Sequence, residues 1–413
     1  MSETVFPKMF KITQKFESNA LAHPEQELRD QLSTKMMDKI GPGTRVAIAM
    51  GSRGIANIVT LAATIVDEFK RQGADPFIVP AIGSQGGATP DGQAAILGSL
   101  GITEENVGAP IRSFQNVVRV GETEDSLPVY CDELAYQSDL IVVVNRVKEH
   151  TAFKADIESG LMKMMAVGLG KQKSAHTAHY SPRGLAETIP QLARVLMQNA
   201  PLGLGIALVE DSLGQTSRIA VLEPAEIEEA EKELLRRSKR MMPRIPFEEL
   251  DVLVVEEMGK NISGAGMDPN VIGMGRRLSD KCGKWKPEID RVVVLELTEE
   301  SRGNAEGLGL ADVTTRRLVD KVDFRATYIN CLTSNFFLGG KVPVTKDTDR
   351  EAIEVALTGY TADRVRLVRI KNTLKLHEMD ISEGLLGEIL DRDDLTVLGE
   401  QGRLGFDDAG HLV

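Results

Sequence analysis

The residues best suited to chemistry lie in one segment, from 145 to 180. Three of the six histidines fall there, His150, His176 and His179, around one lysine, Lys163, in the apolar run GLMKMMAVGLG. A charged amine in apolar surroundings is costly, so its pKa falls and it can serve as a nucleophile or covalent anchor. The alternative is a lysine on an amphipathic helix whose charged end reaches solvent. This segment is therefore the first candidate for an active site.

The three histidines suggest acid–base or metal chemistry. His150 follows the apolar run LIVVV and would stand near the end of a strand. A histidine there can act as a general acid or base near pH 7, or it can be structural. His176 and His179 share a face if their segment is helical, and two histidines can begin a metal site. Because the sequence has neither an HExxH nor a CxxC motif, a zinc hydrolase is weakly supported.

Three short apolar runs predict buried parallel strands around this segment: RVAIAM at 45–50, FIVPAI at 77–82 and LIVVV at 140–144. Such runs are typical of strands that are covered on both faces. The first two are each followed by a glycine-rich loop, which is the pattern of a doubly wound parallel sheet. Ligands of these sheets lie at the carboxyl ends of the strands. We therefore expect the two loops and the segment 145–180 to meet at one edge.

The two glycine-rich loops could bind a ligand. GSRG at 51–54 leads into a predicted helix at 55–72, and a helix N-terminus beside Arg53 would favour a phosphate. The alternative is an ordinary strand-to-helix turn with a surface arginine. GSQGGATPDG at 83–92 is longer than a simple turn requires, and the sequence supports a ligand loop and a plain connector equally.

The remainder of the chain continues the alternation of helices and strands. A helix over 182–198 and a strand over 204–209 follow the candidate segment, and strands over 250–255 and 291–297 begin a second series. The segment 224–240, PAEIEEAEKELLRRSKR, is acidic first and basic last. That order complements the helix dipole and predicts a well-formed exposed helix.

These patterns predict an α/β fold with two domains. Each would have a largely parallel sheet flanked by helices. A chain of 413 residues is too long for one ordinary core. The boundary is placed at the prolines that end the helix, which gives an N-terminal domain over 1–245 and a C-terminal domain over 246–395. The tail 396–413 can be assigned to the first domain.

Composition limits the partners and the compartment. The net charge of −12 argues against nucleic acid and anionic membranes as partners. Cys131, Cys282 and Cys331 are odd in number and far apart, which fits neither a disulfide framework nor a CxxC site. The N-terminus lacks a signal-peptide pattern, and no apolar run approaches the ~18–20 residues of a membrane span. We expect a cytoplasmic protein that binds a small molecule, with oligomerisation left open.

The stretch from Arg146 to His179 resembles the nickel-pincer-nucleotide-dependent lactate racemase family of 2-hydroxyacid racemases and epimerases. RVKEHTAF looks like the family's R-I-K-P-H segment, and GLMKMMAVGLG resembles its Gly-Pro-Lys followed by a small apolar run and Gly-Ile. The resemblance implies that Lys163 holds the cofactor, a nickel pyridinium thioamide/thiocarboxylate mononucleotide, through a thioamide. It further implies that His179 ligates nickel and that His150 is catalytic.

The resemblance extends more loosely over the whole chain, and it implies two α/β domains with the active site in the cleft between them. Arg53 lies where the family has an arginine that contacts substrate or cofactor. The domain 1–245 would then bind the cofactor, with Ser52 of the first glycine loop and Ser84 and Gly86 of the second also in contact with it. Lys148 would hold a carboxylate or the cofactor phosphate.

The second domain departs from the family, because its substrate-facing glutamine and lysine have no convincing counterparts there. The loop 83–92 stands at the family's Gly-Thr-His-Arg-Pro motif, which puts Gln85 at the second catalytic histidine. An amide has no useful pKa near neutrality, so Gln85 cannot act as an acid or base.

The predicted function is that of an isomerase, a racemase or epimerase of a 2-hydroxyacid that uses transient hydride transfer to the cofactor on Lys163. His150 would take the hydroxyl proton, and Asp91, Lys148 and Glu149 are the candidates for the second face. A host without the biosynthetic pathway would produce the protein without its cofactor. The alternative is a non-redox α/β protein that binds a phosphorylated small molecule without nickel.

Overall fold

The computed structural model describes residues 5–36, 40–273 and 286–413. The chain forms two compact units. We call Glu17–Met242 the N-terminal unit, and Met1–Phe16 with Pro243–Val413 the C-terminal unit. The tail differs from its predicted assignment, because its strand pairs with the strand near the N-terminus inside the C-terminal unit.

The strands of the described residues follow one another along both units. They are β1 (Lys8–Gln14), β2 (Arg45–Met50), β3 (Asp75–Pro80), β4 (Val117–Glu122), β5 (Pro128–Asp132), β6 (Leu140–Arg146), β7 (Leu202–Glu210), β8 (Thr216–Leu222), β9 (Glu249–Met258), β10 (Glu288–Leu297), β11 (Val313–Thr315), β12 (Val344–Lys346), β13 (Leu367–Ile370), β14 (Glu378–Ser382) and β15 (Leu395–Arg403).

The α-helices of the described residues are α1 (Pro24–Met36), α2 (Ile58–Arg71), α3 (Pro90–Ser99), α4 (Glu104–Val107), α5 (Glu133–Tyr136), α6 (Leu161–Lys163), α7 (Lys171–His179), α8 (Leu185–Asn199), α9 (Ile227–Met241), α10 (Arg316–Asp320), α11 (Phe324–Thr333) and α12 (Asp349–Leu357). A π-helical turn, Met164–Gly168, joins α6 to the segment before α7. Short 3-10 turns lie at Gly86–Ala88, Pro224–Glu226, Glu299–Ser301, Leu308–Leu310, Phe337–Gly340 and Glu383–Glu388.

The main sheet of the N-terminal unit has the order β3-β2-β6-β7-β8. β2 pairs in parallel with β3 and β6, and β6 with β7, whereas β8 is antiparallel. The predicted strand over 45–50 is confirmed at both ends. The strand predicted over 77–82 is β3, which begins and ends two residues earlier, and the strand predicted over 140–144 lies within β6. The carboxyl ends of β2, β3 and β6 therefore lie at one edge of the sheet.

The sheet of the N-terminal unit is buried on both faces, which explains its continuous apolar runs. Ala47 and Ala49 on one face pack in a core with the segment around Lys163 and with α8 and α9. Ile48 and Met50 on the other face pack with α1, α2 and α3. Successive residues of β2 thus serve two different cores because side chains alternate along a strand.

The helix predicted as exposed over 224–240 is half-buried instead. α9 buries a stripe along one face, formed by Ile227, Glu231, Leu234, Leu235 and Ser238. These positions recur with the helical period, so they share one face, while the charged pattern that suggested exposure describes the opposite face. Burial of this stripe brings Glu231 into the interior, and that position matters for the site.

The C-terminal unit contains an eight-stranded sheet in the order β12-β11-β10-β9-β13-β14-β1-β15. Strands from β12 to β13 are parallel, and β14, β1 and β15 add an antiparallel half. The predicted strands over 250–255 and 291–297 are the cores of β9 and β10. β1 was not predicted, since its partners β14 and β15 are distant in sequence.

Two further expectations concern membranes and disulfides. Within residues 5–36, 40–273 and 286–413, no helix combines the length and the apolar character that a membrane span needs. Cys131 and Cys331 are buried and free, while Cys282 lies outside the described residues.

Candidate active site

Lys163 and His150 form the centre of the candidate site. The Lys163 Nζ atom lies 2.6 Å from the His150 Nε2 atom. Lys163 ends α6, whereas His150 lies in the loop that follows β6, so two neighbouring elements bring them together. His150 is buried and Lys163 is partly buried. The structure thus joins two residues that the sequence proposed separately as base and anchor.

Hydrogen bonding around His150 indicates which ring nitrogen carries the proton. The Ala152 N–H donates to His150 Nδ1 at 3.0 Å. Since Nδ1 is the acceptor, the proton of the neutral ring lies on Nε2 and points at the amine. The Lys163 Nζ atom can accept this hydrogen bond only when it is unprotonated. The pair therefore holds a neutral amine with its lone pair occupied by the imidazole.

The electrostatics of the site favour neutral bases. Burial, together with the smaller effect of the nearby charges of Arg53 and Lys148, lowers the pKa of Lys163 to about 7. Desolvation, followed by the charge of Lys163, places the pKa of His150 well below its ordinary value. The same two causes lower the pKa of His179 to about 4. Near neutral pH both imidazoles are unprotonated, and a large fraction of the amine is too.

The two glycine loops reach the same place, as predicted from the strand order. A Cβ atom at Gly51 would lie 3.0 Å from Met164 Cε, so glycine permits the close approach of this loop to the residue after Lys163. The Gly83 N–H donates to the Gly168 carbonyl at 3.4 Å at the end of the same π-helical turn. Arg53 and Lys148 both act on Lys163 electrostatically. The edge of the sheet thus carries a cluster of cations around a nucleophilic amine.

A buried carboxyl group on α9 holds the turn that carries Lys163. Glu231 accepts a hydrogen bond from the Met162 N–H at 3.0 Å, and the Leu161 N–H also bonds to it. These N–H groups belong to the first turn of α6, where a carboxyl group satisfies free donors. A Cβ atom at Gly160 would lie 2.5 Å from Glu231, so this approach requires glycine. Sequence reasoning missed Glu231 because its neighbours suggested an exposed helix.

A second carboxyl group holds the loop that carries His150. Glu158 is 1% exposed and accepts hydrogen bonds from the His150 N–H at 2.7 Å and the Ala155 N–H at 3.1 Å. Its charge is paired with Lys239 of α9, at 2.6 Å. Lys239 and Glu231 are eight residues apart on one helix face, so α9 supports both members of the central pair.

The other predicted residues of the glycine loops make no side-chain hydrogen bond to Lys163 or His150 within the described residues. Ser52, Ser84 and Gly86 are partly buried in the two glycine loops. Gln85 is exposed, and its backbone makes hydrogen bonds to Ile82 and Gln93.

Besides Lys148, the candidates for the acid or base at the second face of the substrate are Asp91 and Glu149. Asp91 is exposed at the start of α3, and Glu149 pairs with Lys154 at 3.0 Å. These positions give no direct support to a second base.

The first glycine loop departs from the predicted phosphate cradle. The helix expected at 55 begins at Ile58, after Asn57 in a left-handed conformation. The Ala56 N–H donates to Glu210 Oε1 at 2.7 Å, and Glu210 is paired with Arg146. This end of the helix is thus separated from GSRG and faces a carboxylate. Binding of an anion here would depend on Arg53 rather than on the helix N-terminus.

The two histidines of α7 have different surroundings. His176 is exposed and stacks on Tyr180 with ring centroids 4.5 Å apart, whereas His179 is partly buried and lies within electrostatic range of Lys163. In the part of the chain that the structure describes, no group of three or more His, Cys, Asp or Glu side chains is arranged to hold a metal ion. A zinc site formed by the α7 histidines therefore gains no support from these residues.

The Glu231 carboxyl group predicts a pH-dependent change of stability. Burial raises its pKa to about 7 from an ordinary value of 4.5. The stabilisation from the retained proton is complete below pH 4.5 and is lost as the pH rises through 7. Relative to wild type, the free energy of unfolding of Glu231→Gln is expected to increase by about 2.5 kcal/mol between about pH 5 and about pH 8. Urea unfolding at both pH values measures the difference.

Glu233→Gln on the same helix is the matched control. The Glu233 side chain is 65% exposed and pairs with Arg236. Its substitution is expected to give nearly the same stability difference from wild type at both pH values. A pH-independent stability difference for Glu231→Gln as well would contradict the raised pKa of the buried Glu231 carboxyl group.

Comparison with known proteins found similarity to a family model and to solved structures. Residues 11–186 match the family model of the lactate racemase N-terminal domain. The lactate racemase apoprotein from Thermoanaerobacterium thermosaccharolyticum matches with 12% identity and a TM-score of 0.52, over 89% of this chain and 99% of that chain. A protein from Thermotoga maritima matches with the same identity and TM-score, over 88% of this chain and 99% of its own. A search of curated protein sequences found no match.

The central lysine–histidine pair lies within the part of the chain that matches the lactate racemase N-terminal domain. Residues 11–186 thus resemble the lactate racemase N-terminal domain, and this range includes the motifs between Arg146 and His179 that suggested the resemblance. The two solved structures show a shared fold over nearly the whole chain, which confirms the predicted α/β class.

Proposed function

We propose that this protein is a racemase or epimerase of a 2-hydroxyacid that works with a nickel-pincer nucleotide attached to Lys163. The observation that carries the proposal is the contact of 2.6 Å between the Lys163 amine and the His150 imidazole. An unprotonated amine, once its lone pair is released from the His150 N–H, can attack an activated carboxyl or thiocarboxyl carbon, which expels its leaving group and gives an amide or thioamide. The match of residues 11–186 to the lactate racemase N-terminal domain supports the reaction class.

The residues present fit such a cofactor. Lys163 offers a desolvated amine with a pKa of about 7. His179 offers an imidazole that stays neutral because its pKa falls to about 4, and a metal ligand must be unprotonated. Arg53 and Lys148 supply positive charge for the nucleotide phosphate or the substrate carboxylate. A cofactor that brings its own donor atoms needs few ligands from the protein, so one histidine suffices.

The chain's own residues would divide the remaining work. When bound, the cofactor supplies a reversible acceptor for the hydride on the α-carbon of the substrate. Arg53 and Lys148 hold the carboxylate and so orient the α-carbon. His150 exchanges the hydroxyl proton at Nε2, the ring nitrogen that faces Lys163. It accepts that proton there only with its own proton on Nδ1, so the hydrogen bond from the Ala152 N–H must be released in the working enzyme.

The wall that faces the second enantiomer would be formed by the loop of Gln85. An amide can donate and accept hydrogen bonds but cannot take a proton near neutral pH. We infer that this loop binds polar groups of the substrate, which favours a hydroxyacid larger or more polar than lactate. The proposed partners are therefore this small molecule and the cofactor, and a cytoplasmic location remains part of the proposal.

Intact mass and metal analysis of the protein, produced together with the cofactor-biosynthesis enzymes, tests the function. A nucleotide-sized adduct on the Lys163 peptide, with nickel near one equivalent, is expected. Unmodified Lys163 under these conditions would instead favour a protein that binds a phosphorylated small molecule through Arg53 and Lys148. Racemisation of a panel of D- and L-2-hydroxyacids then identifies the substrate.

A further inference from the structure

Lys171 is a buried cation of α7 that contacts the ends of β3 and β5 and the side chain of Gln93 on α3. It is 1% exposed and is the first residue of α7, the helix that ends at His179. Its φ of +53° lies in the left-handed region, which a side chain other than glycine rarely adopts. A strained backbone and a buried charge at one residue require compensating contacts.

The Lys171 ammonium group has two hydrogen-bond acceptors and one ion-pair partner. It donates to the Pro80 carbonyl at the end of β3. The Gln93 Oε1 atom lies at 3.2 Å and the Asp132 Oδ2 atom at 3.1 Å. Asp132 is fully buried, and its Oδ1 atom accepts a hydrogen bond from the Ala135 N–H at 2.9 Å. The charges of Lys171 and Asp132 thus compensate each other, and each residue also hydrogen-bonds to other groups.

Gln93 extends this network to the glycine loop. Its side chain is fully buried, and its Nε2 atom donates to the Gly83 carbonyl at 3.0 Å and to the Gln85 carbonyl at 3.4 Å. Because an ammonium group can only donate, Lys171 forces the amide oxygen of Gln93 toward itself and the amide NH2 toward the loop. The orientation of one amide therefore couples the lysine to the loop.

We propose that Lys171, together with Asp132 and Gln93, is a positioning residue that sets the loop at Gly83–Gln85 against the helix that ends at His179. The importance of this coupling for catalysis rests on the proposed function, because that function places His179 and Gln85 in one site. The network itself is a property of the folded chain. It can hold the loop Gly83–Gln85 and α7, which are distant in sequence, in one relative position.

Two variants distinguish the effect of the hydrogen-bond network on the loop from a general loss of stability. Gln93→Glu keeps an acceptor for Lys171 but replaces the NH2 donor with an oxygen that repels the Gly83 and Gln85 carbonyls. Lys171→Met combined with Asp132→Asn removes both buried charges together, so no unpaired carboxylate remains, and asparagine can still accept from the Ala135 N–H. Gln137→Glu is the matched control, since Gln137 is exposed at the end of α5.

Hydrogen–deuterium exchange of the full-length protein without cofactor is the first measurement. In both variants the amides of residues 83–89 are expected to exchange at least about tenfold faster than in wild type, with β2 and β6 unchanged. The Gln137→Glu control should match wild type. Unchanged exchange of the loop in folded variants would overturn the proposal. This result does not depend on any activity.

The second measurement uses protein produced with the cofactor-biosynthesis enzymes. In Gln93→Glu the adduct on Lys163 and the nickel content are expected to stay at wild-type levels, while kcat/KM for the substrate falls by about 10²-fold. Faster loop exchange with unchanged kcat/KM would reduce Lys171 to a structural role and overturn the positioning role. An absent adduct in wild type would refute the proposed function. The exchange result would still show whether Lys171, Asp132 and Gln93 hold the loop.

Discussion

Replacing Lys163 with methionine is expected to abolish the covalent adduct and the racemase activity while the N-terminal unit stays folded. Methionine retains the apolar part of the side chain and removes the amine that would form the thioamide. Because burial already lowers the pKa of this amine to about 7, its removal also lifts a desolvation cost. The melting temperature at neutral pH is therefore expected to be equal or higher. Intact mass, nickel content and thermal unfolding measure these effects.

Two companion variants make the Lys163 result specific. Lys163→Arg keeps a positive charge but cannot form the same thioamide, so it is expected to lose the adduct as completely as Lys163→Met. Lys173→Met replaces an exposed lysine of α7 and is expected to retain adduct and activity. Racemase activity that survived in Lys163→Met would contradict the covalent anchor.

Replacing His150 with glutamine is expected to lower kcat by about 10²–10⁴-fold, the usual contribution of a positioned acid or base. Glutamine can still hydrogen-bond to its neighbours, but it cannot take the hydroxyl proton of the substrate. Lys163 and His179 remain, so the adduct and the nickel should be retained. This combination of a loaded cofactor and slow turnover distinguishes His150 from Lys163. Steady-state kinetics and intact mass on the same preparation provide the measurement.

His23→Gln is the control for this substitution. The His23 side chain is 79% exposed on the N-terminal unit. Its replacement is expected to leave kcat unchanged. A turnover number for His150→Gln equal to that of wild type would remove His150 from the mechanism and direct attention to Lys148 as the acid–base residue.

Local sequence patterns were sufficient to predict the strands that position the site. Apolar runs such as 45–50 depend on burial on both faces of a sheet, which is a property of a few consecutive residues. The order of these strands also predicted that the two glycine loops meet the segment of Lys163, since parallel strands present their carboxyl ends at one edge. The helix before Pro243 was predicted in position but not in burial, because its charges describe only one of its faces.

The sequence by itself determined the chemical groups and their order: a lysine in an apolar run, a histidine before it, and His179 after it. Tertiary structure decided which groups meet. The pairing of Lys163 with His150, the cap from Glu231 and the contacts of Lys171 all join residues separated by loops, and their burial sets their protonation. The physical reason is that desolvation and hydrogen bonding depend on what surrounds a group in space, whereas the periodicity of apolar residues can be read along the chain.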